Sequence, residues 1–139
     1  MEKLRIGIIG CGNMGGAHAR RMQKIEEAQI AALCDLTEDI AKAFREKHFP
    51  EDAQEIPVYA ETGAMYRGTE LDAVIIATPH TIHFEQGMEA LDAGCHVFME
   101  KPMVTAADDA YALAEKVQKS GKIMTIGYNT PCTPHFAYV

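Results

Sequence analysis

Six residues, Gly10-Cys11-Gly12-Asn13-Met14-Gly15, limit what this chain can fold into more than any other stretch. The apolar run Leu4–Ile9 feeds directly into them, and a helical pattern over Met14–Ile25 leads directly out. A G-x-G-x-x-G pattern says little alone. Between a buried strand and a helix it describes a strand-turn-helix unit built to receive a ligand. Gly10 permits the sharp turn, Gly12 lets the backbone approach a ligand closely, and Gly15 lets the helix pack on the strand. The first amides of the helix have no acceptor within it, so they suit phosphate oxygens. A tight turn with no ligand is the plain alternative.

The rest of the chain alternates between two periods. Strand-length apolar runs rich in Ile and Val occur at Leu4–Ile9, Gln29–Cys34, Ala73–Ala77, His96–Met99 and Ile123–Ile126. Nearly unbroken runs of this kind predict strands covered on both faces, as in a parallel sheet. Helical patterns lie between them, at Met14–Ile25, Glu38–Lys47, His83–Ala93 and Ala106–Lys119. Thr105, with Asp108 three residues on, reads as a cap for the last of these helices. Gly121 reads as its stop, and Gly94 as the stop of the helix before it. A weaker strand over Pro57–Tyr59, followed by a short helix near Thr62–Tyr66, belongs at a sheet edge because proline cannot donate to a ladder. Right-handed crossovers turn this order into a doubly wound α/β sheet with strand order 3-2-1-4-5-6.

The length of 139 residues suits one domain. A net charge of -7 argues against a nucleic-acid binder, which is normally basic. It does not argue against a phosphate ligand, since amides and a helix dipole need no Lys or Arg. Cys11, Cys34, Cys95 and Cys132 form no C-x-x-C pair. They read as reduced thiols in a cytoplasmic protein, with no metal site. No stretch is long enough to span a bilayer, and the N-terminus runs straight into a strand without a signal peptide.

Asp35 ends the second strand, twenty residues after Gly15. A carboxylate there accepts hydrogen bonds from the adenosine ribose of a dinucleotide. It repels a 2′-phosphate, which favours NAD over NADP. Its other reading is a cap for the helix starting near Thr37. The loops Thr78-Pro79-His80 and Glu100-Lys101-Pro102 follow the fourth and fifth strands, so both reach the same crevice as the glycine loop. The cofactor-binding candidates are therefore Gly10, Cys11, Gly12, Asn13, Met14, Gly15, Asp35, Thr78, Pro79, His80, His83, Glu100 and Lys101. Lys101 has two readings: a group that stabilises charge on a substrate oxygen, or a surface lysine paired with Glu100. His80 and His83 are three apart, which could put both on one helix face; capping or packing suits them better than metal binding. His18 and His96 read as packing residues.

The glycine loop, Asp35, the run Asp72–Pro79 and the run Ala93–Pro102 ending in Glu100-Lys101-Pro102 together resemble the glucose–fructose oxidoreductase / inositol dehydrogenase / rhizopine-catabolism (Gfo/Idh/MocA) family. The resemblance spans about Lys3 to Tyr128. It implies that Lys101 is the catalytic lysine of an NAD-dependent dehydrogenase acting on a sugar-like or cyclic alcohol. It also implies a homo-oligomer at full length, and a second, substrate-binding domain that follows. On this reading residues 1–127 form the dinucleotide-binding domain and 128–139 begin the connection, so the chain alone binds NAD without appreciable turnover. After Gly127-Tyr128-Asn129 the family commonly has an arginine-phenylalanine pair before a proline; here the chain reads Thr130-Pro131-Cys132-Thr133-Pro134. Two other classes share the glycine loop: a non-catalytic NAD-binding or redox-sensing module, and an S-adenosylmethionine methyltransferase. The Glu-Lys-Pro strand end argues against the methyltransferase.

Overall fold

A computed structural model of the chain describes residues 2–53 and 55–128. Six parallel strands form one sheet: β1 (Leu4–Ile9), β2 (Ala28–Cys34), β3 (Val58–Tyr59), β4 (Ala73–Ile76), β5 (His96–Met99) and β6 (Met124–Ile126). Their order is β3-β2-β1-β4-β5-β6, as the alternation of periods predicts. The short strand after Pro57 does lie at the edge.

Side chains on successive strand residues point to opposite faces. Ile9, Val74, Ile76, Val97 and Met99 enter one apolar cluster, and Ile6, Ile8, Leu33 and Ile75 enter the other. Two buried faces explain why the central strands carry almost no polar residue. The covering helices are α1 (Asn13–Met22), α2 (Glu38–His48), α3 (Thr62–Gly68), α4 (His83–Asp92) and α5 (Ala107–Ser120). Because every strand runs the same way, the turns after β1, β2, β4 and β5 emerge along one edge of the sheet.

Several local expectations change. Helix α1 ends at Met22, and Lys24 and Ile25 continue as turns whose amides reach back three residues. Thr105 does not cap α5. Ala106 is still extended, at φ -124° and ψ 145°, which moves the start one residue on, and no side chain caps it. Asp108 and Asp109 instead place negative charge in its first turn, against the positive end of the dipole. Gly121 at φ 66° and Gly94 at φ 80° take the left-handed conformation expected of helix stops. The connection from Asn129 onward, with Cys132, lies outside the described residues.

Candidate cofactor site

The glycine loop has the geometry its sequence demands. Gly10 sits at φ 97°, and a Cβ there would lie 2.6 Å from the Ala77 carbonyl oxygen. A Cβ on Gly15 would overlap the Gly10 carbonyl oxygen, so α1 packs closer to the turn than any side chain allows. Gly12 differs from both. Its φ of -89° suits any residue, and a Cβ there meets nothing within 4 Å. Nothing in the fold requires a glycine at this position. The bare backbone there leaves room for a ligand to approach closely. Gly12 also brings no capping side chain to α1, whose first turn carries no acidic residue. Asn13 and Met14 complete that turn, which therefore offers free amides and an uncancelled dipole to a pyrophosphate. The residues fit a dinucleotide.

Asp35 does not cap α2. Thr37 does, accepting from the Ile40 amide at 3.3 Å. The Asp35 carboxylate accepts the Cys11 amide at 2.6 Å through Oδ2 and the Leu36 amide at 2.7 Å through Oδ1. It thereby ties the end of β2 to the glycine loop. An ionised carboxylate has about four acceptor positions, so capacity remains for ribose hydroxyls. The Cys11 thiol is pushed up to about 12 by burial first and then by the Asp35 charge. Cys34 is pushed up to about 12 by the same causes.

Beyond β4, Thr78 donates its hydroxyl to Gln86 Oε1 at 2.5 Å, while Pro79 and His80 are exposed. His80 and His83 do not share a face. His80 opens a 3-10 turn over His80–Ile82, whereas His83 is 1% exposed beneath the loops. One ring nitrogen of His83, Nδ1, lies 2.9 Å from the Pro102 carbonyl and 3.2 Å from that of Met103. The other, Nε2, lies 3.0 Å from the Thr78 carbonyl. His83 thus straps the loop after β4 to the loop after β5, and does so from below.

After β5, the Glu100 side chain turns inward. Its Oε1 pairs with His18 Nε2 at 2.7 Å, and both residues are 8% exposed. Lys101 is exposed, and its ammonium has no hydrogen-bond or ion-pair partner among the described residues. The surface-pair reading of Lys101 with Glu100 is therefore overturned: the carboxylate is spent on His18. His18, read from sequence as packing alone, has a polar partner 82 residues away, and no local signal could reveal it. His96 likewise accepts the Ile123 amide at 2.9 Å through Nδ1.

A shallow groove of about 510 Å³ runs from Cys11, Gly12 and Asn13 between α1 and α2. A larger concavity of about 1010 Å³ lies at the opposite edge, lined by residues such as Lys3, Gln29, Phe49 and Glu70. It is remote from every loop that bears site residues, and its lining converges on no chemistry.

A glycine turn opening a helix, an acidic end to β2 and a lysine after β5 define a dinucleotide-binding α/β domain of the dehydrogenase type. The chain belongs to the Gfo/Idh/MocA oxidoreductases: the model of that family's NAD-binding Rossmann fold matches residues 4–128. It is 32% identical over 127 residues to an inositol 2-dehydrogenase/D-chiro-inositol 3-dehydrogenase of Shouchella clausii, covering 90% of this chain and 36% of that protein. It is 29% identical to a D-glucoside 3-dehydrogenase of Escherichia coli, covering 91% of this chain and 35% of the relative. The WlbA dehydrogenase of Chromobacterium violaceum, solved with NADH and UDP-GlcNAcA, superposes with a TM-score of 0.89 at 26% identity, covering 99% of this chain and 39% of that one. The chain thus spans little more than a third of the length of these relatives. Its cofactor is a nicotinamide dinucleotide. Among the described residues, no helix is long and apolar enough to cross a membrane.

Proposed function

We propose that this domain binds NAD in preference to NADP, and that the protein carrying it moves a hydride between the cofactor and an alcohol carbon of a sugar-like or cyclic polyol. The observation that carries this reading is the unpartnered Lys101 ammonium on the edge that also bears the glycine loop. Bound nicotinamide supplies the hydride donor or acceptor. The chain's own residues do the rest. Free amides of α1 take the pyrophosphate, Asp35 takes the adenosine ribose, and the loops after β4 and β5 flank the nicotinamide. Lys101 donates to the reacting oxygen and stabilises charge on it.

The NAD preference rests on Asp35 and on Leu36-Thr37-Glu38, which bring no cation to a 2′-phosphate. The substrate class rests on relatives named for inositol and glucoside oxidation and on the nucleotide sugar bound by WlbA. Residues 1–127 act as the dinucleotide-binding unit and 128–139 as the start of a connection to the substrate-binding part. The protein works as a homo-oligomer. The free thiols Cys11, Cys34 and Cys95 suit the reducing cytoplasm.

The test is Lys101→Ala in the protein at its natural length, with hydride transfer and NADH affinity measured separately. A rate loss on the order of 100-fold or more with affinity held within about threefold is expected. An unchanged rate sinks the catalytic assignment and leaves a binding module.

A further inference from the structure

We propose that His18 is a positioning residue for Lys101: through Glu100, it locks the start of the lysine loop to the helix that receives the cofactor's pyrophosphate. This rests on the reading of Lys101 given above. His18 lies three residues after Gly15, one turn along the same buried face of α1. Gly15 fixes that face hard against the β1 turn. The imidazole meets the ring of Phe98 edge-on, with centroids 5.0 Å apart and planes at 65°, so the helix side of the contact is constrained by packing as well.

The Glu100 carboxylate sits where three segments converge. Oε1 meets His18 at 2.7 Å, and Oε2 accepts the Lys101 amide at 3.3 Å. A Cβ on Gly127, just past β6, would approach Oε1 to 3.4 Å, so the third wall is a residue without a side chain. No Lys or Arg pairs with this carboxylate among the described residues. A buried carboxylate without a partner is strongly unfavourable. His18 is therefore what allows Glu100 to face inward. Facing inward does two things at once. It commits the carboxylate next to Lys101 in sequence to His18, and that carboxylate makes no ion pair with the lysine. It also orients the peptide between residues 100 and 101, which sets the direction in which the lysine leaves the chain. A pair that only filled space would do neither.

The experiment reads Lys101 itself. The chain is acetylated with sulfosuccinimidyl acetate, with and without saturating NADH, and modification rates are taken by mass spectrometry against Lys24 and Lys119. NADH is expected to protect Lys101 about fivefold or more and the references less than about twofold. In His18→Leu, that protection falls by about threefold or more, although NADH affinity changes less than this. His18→Gln restores a donor and brings protection back to near the native value. Should His18→Leu fail to fold, the double variant H18L/E100L removes the buried charge along with its partner, and the same loss of protection is expected. Native-like protection of Lys101 in His18→Leu or in the double variant overturns the proposal. No protection of Lys101 in the native chain overturns instead the placement of the lysine beside the nicotinamide.

Discussion

The Asp35 carboxylate accepts the Cys11 amide across 2.6 Å, joining two loops that are 24 residues apart in the chain. Asp35 therefore shapes the glycine turn, in addition to the ribose contact proposed for it. In the native chain NADH is expected to bind tighter than NADPH by roughly fivefold or more, and Asp35→Ser is expected to weaken NADH binding and bring NADPH close to it. Fluorescence titration of both nucleotides on both proteins checks this. Equal affinities in the native chain contradict the discriminating role.

Gly10 and Gly12 separate folding from binding. Gly10→Ala forces a side chain into φ 97° and against the Ala77 carbonyl. The expected cost is about 1–3 kcal/mol or more, read from urea denaturation. Gly12→Ala meets no protein atom within 4 Å. Stability should change by less than about 0.5 kcal/mol. NADH affinity should nevertheless fall about tenfold, a loss of about 1.4 kcal/mol in binding. A Gly12→Ala protein that binds normally refutes the bare-backbone contact.

His83→Leu leaves the Thr78 and Pro102 carbonyls without their ring partner. A neutral imidazole donates to only one of them at a time, so the expected cost is that of one lost hydrogen bond, about 0.5–1.5 kcal/mol. The loops after β4 and β5 should also exchange their amide hydrogens faster, while β1 and β2 keep their protection. Uniform loss of protection across the sheet would argue for a general packing role.

Much of this could be read from the residues in order. Strand order followed from runs such as Ala73–Ile76, because two buried faces leave no room for polar alternation. The glycine turn followed from position alone. What stayed hidden depends on contacts between distant segments. His18 and Glu100 look ordinary until the sheet brings β5 beside α1, and Glu100 then proves to serve His18 where Lys101 was the nearer partner in sequence. Thr105 shows the converse. Its capping signal is locally sound, but Ala106 stays extended and the helix starts one residue beyond its reach.

The thiols of Cys11 and Cys34 make a pH prediction. Both rise from an ordinary 9.0 to about 12 in the folded chain. Below about pH 9 the folded and unfolded thiols are both protonated, and they leave stability unchanged. From there to about pH 12 the unfolded chain releases protons that the folded chain keeps, so stability falls as pH rises. At pH 8 the folded thiols should react with iodoacetamide far more slowly than in urea, despite Cys11 lying in the cofactor loop. Fast alkylation of native Cys11 would contradict this environment.

Three of the side chains that fasten these loops grip backbone, Glu100 while also holding His18. Asp35 holds an amide of the glycine turn, His83 reaches carbonyls on both sides of the crevice, and Glu100 takes the amide of Lys101. Backbone groups are the same whatever side chain they carry. Exposed tip residues such as Pro79 and His80 can therefore be exchanged without disturbing the fastenings. The frame behaves like a tool handle whose grip stays the same while the side chains at its exposed tips change.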